Sequence, residues 1–180
     1  MELQHITDNN WLSTSWLRSE QAGLKQRRLP EDVRVNSATL KDRRHQLNFL
    51  LDAVKQFALP LFNQLFAHSN SRLILTDADG VIIGSWGKPR FREKLTEIAL
   101  SSGACWQEKL KGTNAIGTAL IEAKPVSVIG DQHFIQQPGR HIGLAPLIDS
   151  DFNAARSYTK VFDITQADAV GVYSEGSESA

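Results

Sequence analysis

The residues best suited to chemistry in this chain are Gly112, Thr113 and Asn114, which run into a short apolar stretch, Ala115 to Ala123. Thr113 or Asn114 is placed to cap a helix there. The start of a helix presents free backbone N–H groups and the positive end of the peptide dipole, which suits an anionic or hydroxyl-bearing ligand. The same residues also support a structural reading: a capped helix closing against a sheet, with Gly112 and Gly117 admitted for close packing. His133 follows Gly130 and Asp131, and Asp131 is near enough in sequence to orient its ring. His141 lies a little further on, but no carboxylate or cysteine is spaced to complete a metal set with the two histidines, so no metal is expected. Cys105, the single cysteine, excludes an intrachain disulfide and a thiolate zinc cluster. Lys109 and Lys111 would stabilise its thiolate, but without a resolving partner it reads as a small hydrophobe. Asp77 and Asp79 read as turn chemistry rather than a catalytic pair, and Arg43 and Arg44 as a solvated helix face. No nucleophile–base pair and no G-x-S-x-G elbow is visible, so an enzyme is not expected, and neither is a cofactor.

The elements that position these residues follow from periodicity. Trp11, Leu12, Ser15 and Trp16 lie in a short amphipathic stretch that Arg27, Arg28 and Pro30 interrupt, so residues 1–36 are expected to form an N-terminal helical arm. Leu47, Leu51, Val54, Ala58, Leu61 and Leu65 then recur at the spacing of a helical seam, widened by Phe49, Leu50, Phe57 and Phe62. That stripe packs either on its own domain or, in part, against a second copy. Pro60 is expected to kink it or start a new segment. Beyond His68 the period shortens: RLILT at Arg72–Thr76 and VIIGS at Val81–Ser85 flank Asp79-Gly80, a hairpin signal. Pro89 to about Leu100 reads as a helix, VSVI at Val126–Ile129 as a strand, and IGLAPLI at Ile142–Ile148 as another. The sum is an α+β domain over residues 37–165, one antiparallel sheet flanked by helices. Residues 166–180, ending in VYSEGSESA, are expected to be a disordered acidic tail.

Composition narrows the functional classes. Lys+Arg is 20 and Asp+Glu is 20, a balance that argues against direct nucleic-acid binding. Charge is uneven: eight basic against six acidic residues up to Asn48, and two against six from Asp149 onward. No apolar run approaches the roughly 20 residues that span a bilayer, and Met1–Asn10 has no apolar signal core, so no membrane association and a cytoplasmic location are expected.

The run W-x-E-x-x-x-G-T-N-A-I-G-T-A-L from Trp106, then P-V-x-V-x-G-x-x-H-F from Pro125 and A-P-L-I-D from Ala145, resembles the N-terminal GAF-type sensor domain of the acetoin and dihydroxyacetone/glycerol operon regulators. Those are bacterial activators of sigma-54 RNA polymerase. Ser15, Trp16, Arg18, Ser19 and Gly23-Leu24 match that family's opening, and the resemblance covers about residues 10 to 150. It implies a GAF-like fold, a signal-sensing role in transcription control, and a homodimer through the N-terminal helices. It further implies a small polar metabolite bound between the sheet and the G-T-N-A-I-G helix, with Thr113 and Asn114 hydrogen-bonding, Trp106 as a wall and His133 as a polar contact. The rival reading is a ligand-free interaction or dimerisation domain with a sealed core. The chain departs from the family where His141, Ile142, Gly143 and Leu144 replace a cysteine-bearing neighbourhood, and where FNAARSYTK follows Asp151. No G-x-x-x-x-G-K-[ST] loop occurs and no space remains for ATPase and helix-turn-helix modules, so the chain alone is expected neither to hydrolyse ATP nor to open a promoter.

Overall fold

A computed structural model describes residues 10–28, 30–67, 71–87, 100–124, 126, 128, 130–135, 142–148 and 169–175. The expected helix from Pro89 lies outside the described residues, and so does half of the expected strand at Val126–Ile129, whose described residues, Val126 and Val128, are buried. The first helix, α1 (Asn10–Gln21), falls within residues 1–36, where a helical arm is expected. Next come α2 (Ser37–Gln46), α3 (Asn48–Ala53) and α4 (Leu59–Leu65), with one wide helical turn at Val54–Ala58 between the last two. Asn36 starts α2 by accepting the Thr39 N–H, 2.8 Å away. Pro60 has no N–H to give to the preceding turn. Just ahead of it the helix loosens to i→i+5 bonding, with the Leu59 N–H reaching Val54 O, and the helical run continues into α4.

Strands β1 (Ser71–Thr76), β2 (Ile82–Gly87), β3 (Ile142–Ile148) and β4 (Ala169–Glu175) form one antiparallel sheet in the order β2-β1-β4-β3. The architecture is therefore α+β with an antiparallel sheet, as expected. Its apolar residues alternate between two helical layers. Leu73, Leu75 and Ile83 pack against Leu51, Val54, Ala58 and Phe62 of α3–α4. Ile74 and Ile82 face the other way, onto Trp106, Ile116 and Ala119. Both faces of β1 are buried, which is why its run is apolar without alternation. The seam at Leu51, Val54 and Ala58 thus faces this chain's own sheet, while Phe49, Phe57 and Leu65 remain 81%, 65% and 59% exposed.

The tail expectation fails for residues 169–175: they form β4, which pairs with β1 (Leu73 opposite Val172) and with β3 (Ala145 opposite Val172). Val170, Val172 and Tyr173 are strand formers, and their signal is diluted by the small polar residues that follow. The linker after α1 also acquires structure. Val35 N–H bonds to Gly103 O and Cys105 N–H to Val33 O, and the 103–106 segment in turn pairs with Gly80–Ile82.

The hairpin between β1 and β2 is built as its residues indicated. The Asp77 carboxylate accepts the N–H groups of Asp79 and Val81 at 3.0 and 2.9 Å. Arg43 and Arg44 are not a solvated face. Arg43 reaches both Asp77 and Asp79, at 2.5 and 2.7 Å, while Arg44 donates to Ile83 O at 2.7 Å and to Ser102. They anchor α2 to the hairpin, and pairing with Asp77 and then Asp79 holds the Arg43 guanidinium above its ordinary range. Arg43→Ala is expected to cost about 1–2 kcal/mol, measured by urea unfolding, because Asp77 is buried and loses a charged partner.

Candidate functional site

Two short helices carry the G-T-N segment: α5 (Glu108–Lys111) and α6 (Ala115–Glu122). Gly112 joins them at φ +71°, and a Cβ there would lie 2.8 Å from the Phe134 side chain, so glycine is required twice over. Asn114 caps α6: its Oδ1 accepts the Gly117 N–H at 2.8 Å. Its Nδ2 donates to Gly112 O at 2.7 Å and to Trp106 O at 3.2 Å. Ala123 closes the helix in the left-handed conformation.

A buried carboxylate sits at the centre of this region. Glu108 is 1% exposed. Its Oε2 accepts the hydroxyls of Ser15 at 2.5 Å and Thr118 at 2.6 Å, and its Oε1 accepts Arg18 Nε at 2.6 Å. Ser15 Oγ also lies 2.7 Å from Thr113 Oγ1, and Arg18 extends to Glu122 at 2.8 Å. Burying an ionised carboxylate is tolerated only when it is paired and hydrogen-bonded, as here. The bond to Glu108 holds the Arg18 guanidinium above its usual range, against the opposing effect of burial and with help from Glu122.

The four predicted binding residues occupy different positions in this arrangement. Trp106 is buried among Ile74, Ile82 and Ile116, with the Lys111 ammonium 5.9 Å from its ring centre. Burial lowers the pKa of Lys111, partly countered by Asp32, and its Nζ donates to Glu31 O. Thr113 and Asn114 are both buried and engaged within the chain. His133 is half-buried in the turn after the Gly130–Gln132 helical turn. Its neighbour Phe134 joins it to the others, donating its N–H to Thr113 O at 3.3 Å and packing edge-on against Trp16, whose Nε1 reaches Gln132 O at 2.9 Å. Cys105 is buried, its Sγ 3.5 Å from Asp79 O, and Lys111 is turned toward Glu31. No cluster of three metal-ligating side chains exists among the described residues, nor is any helix among them long and apolar enough to cross a membrane.

Sequence reasoning missed Glu108 and the face of α1 that meets it. The available signal was Ser15, Arg18 and Ser19, which lie on one side of a helix at i, i+3, i+4, where a docked helix would normally show an apolar stripe.

The chain is 33% identical over 111 residues to the acetoin dehydrogenase operon transcriptional activator AcoR of Bacillus subtilis, covering 62% of this chain and 16% of that protein. It is 30% identical over 147 residues to the acetoin catabolism regulatory protein of Cupriavidus necator, covering 79% of this chain and 21% of that one. A shorter stretch of 64 residues is 33% identical to the propane 2-monooxygenase operon transcriptional activator MimR of Mycolicibacterium smegmatis, 35% of this chain and 11% of that protein. The chain thus spans between 11% and 21% of these relatives, which are regulators of transcription. In three dimensions it is similar to the crystal structure of the E. coli DhaR(N)–DhaL complex, with a TM-score of 0.74 at 20% identity over 94% of this chain and 54% of that one. Residues 9–170 match the family described as MimR, N-terminal domain, and the chain belongs to that family.

Proposed function

We propose that this chain is the signal-sensing domain of a bacterial sigma-54-type transcriptional activator: a GAF-like module that acts by binding rather than catalysis. The observation that carries this reading is the family match over residues 9–170, which takes in both α1 and the G-T-N segment docked on it. The input is a small polar metabolite received beside α6, with His133 as the polar contact and Trp106, Thr113 and Asn114 shaping the wall. The domain pairs with a second copy through the apolar side of α3–α4, where Phe49, Phe57 and Leu65 stand in water. It works in the cytoplasm as one part of a longer regulator.

A thermal-shift screen against small polyols, hydroxyketones and short acids tests the metabolite reading. A ligand at 100 times its Kd is expected to add about 2.7 kcal/mol of stability, and His133→Ala to abolish the response while the unliganded Tm stays within a few degrees. A screen in which no compound raises the Tm of the folded chain counts against it.

A specific observation supports a second reading. The polar groups of Asn114 and the hydroxyl of Thr113 are engaged inside the chain, and DhaR(N), similar in fold, was crystallised with a protein, DhaL. On this reading the signal is itself a protein that docks on the domain surface. Phe57→Asp is expected to halve the solution mass if the apolar side of α3–α4 joins two copies, and light scattering decides it.

A further inference from the structure

We propose that α1 is a releasable helix, held to the domain by a polar clasp around Glu108 rather than by a share of the core, and that its docking and release are the domain's built-in two-state change.

Helix α1 turns hydroxyls, not an apolar stripe, into the domain. Its fully buried residues are Ser15 and Ser19, and Leu17 is more than half exposed. Its apolar contribution comes from its margins: Trp11 packs partly against the Trp106 layer, and Trp16 meets Phe134 edge-on. Helices α3 and α4, by contrast, sink Leu51, Val54, Ala58 and Phe62 into the sheet. A helix docked mainly through hydroxyls and one guanidinium recovers much of its interaction energy from water when it leaves, since a hydrogen bond exchanged for hydration contributes little net free energy. The geometry is nonetheless demanding, because Ser15 Oγ sits within hydrogen-bond reach of Glu108, Thr113 and Thr118 together. Such a clasp is either engaged or lost, which is the behaviour of a bistable contact.

The rest of the domain is built to persist without α1. Glu108 keeps its bond to Thr118, and departure of Ser15 and Arg18 opens its other side to water. Both apolar layers are complete apart from the partly buried Trp11, and release also uncovers Phe134, against which Trp16 packs. The connection after α1 is divided in the same way: Lys25, Arg27 and Arg28 are exposed, whereas Glu31, Val33 and Val35 are tied to Lys111, Cys105 and Gly103. The hinge therefore lies within residues 22–28, ahead of the part tied to the domain. This holds whichever input the domain receives, and its test involves no ligand, so its failure and failure of the metabolite reading are distinguishable.

Hydrogen–deuterium exchange of the full chain, resolved by peptide, provides the test. In the unsubstituted protein the amides of Asn10–Gln21 are expected to exchange through openings that leave β1 and β2 protected. Arg18→Gln is expected to speed exchange in α1 by about tenfold or more, with β1 and β2 unchanged, and Glu108→Gln to act in the same direction. Acceleration of strand and α1 amides together would show that the helix belongs to the main cooperative unit and overturn the proposal. No acceleration in α1 would assign its docking to the tryptophans and overturn it equally. If a substituted chain does not fold, the unsubstituted protein decides alone: protection in α1 equal to that in the strands rejects release.

Discussion

Replacing Asn114 by alanine is expected to lower the unfolding free energy by about 3 kcal/mol or more, a large fraction of the stability of a domain this size. Two effects combine. Loss of the cap on α6 costs about 1 kcal/mol, and the carbonyls of Gly112 and Trp106 lose the buried donor that serves them, at about 1–3 kcal/mol for each group left without a replacement. Chemical denaturation of the variant checks the figure, and Asn114→Asp separates the effects. Aspartate restores the acceptor for the Gly117 N–H but supplies no donor to the carbonyls, so it is expected to recover the cap and no more. A near-neutral Asn114→Ala would mean that the side chain is free to face a ligand and that these bonds count for little. The size of the expected loss is also why His133→Ala is the better probe of a binding pocket: an Asn114 variant that stops responding to a compound reports damage to the fold.

Gly117→Ala is expected to cost about 3 kcal/mol, and its sign is informative. In an exposed helix interior the same change stabilises by about 1 kcal/mol. Here a Cβ would stand 2.3 Å from the Glu108 nitrogen and 2.5 Å from the Trp106 oxygen, both backbone atoms with no rotamer to yield. Relief requires α6 to move away from the 106–108 segment, which lengthens the Asn114–Trp106 and Thr118–Glu108 bonds together. Thermal unfolding followed by circular dichroism is expected to show a Tm drop of about 6–12 °C, taking roughly 2–4 °C per kcal/mol at this chain length. An unchanged or raised Tm would mean that α6 does not lie this close.

Much of the fold was legible because local signals and tertiary demands coincide. The Asp79-Gly80 turn between apolar runs, the helix begun by Asn114, and the IGLAPLI strand were read where they occur. Elements failed to show where tertiary contacts reassign a residue's role. Arg43 and Arg44 look like surface because nothing in the chain near them announces that β2 and its turn will supply acceptors. Glu108 sits in EKLK, a composition that reads as solvated, and becomes buried only because a helix more than eighty residues earlier brings Ser15 and Arg18 to it. At the G-T-N segment the sequence leaves open whether a capping asparagine spends its hydrogen bonds inward or on a ligand, because that depends on which carbonyls fold beneath it.

The place of β4 in the sheet has a consequence for how the protein is made. β3 pairs with β4, β4 pairs with β1, and no other described strand joins β3 to the hairpin. Among the described strands, the edges of β1 and β3 that face β4 therefore stay unpaired in a nascent chain until residues 169–175 clear the ribosome. Two open strand edges invite pairing with other chains, and non-local closure of this kind is slow. Synthesis should thus depend on holding chaperones until β4 emerges. A stall or stop codon ahead of Ala169 should divert the product into insoluble material, whereas loss of the residues after Glu175 should leave its yield in the soluble fraction unaltered.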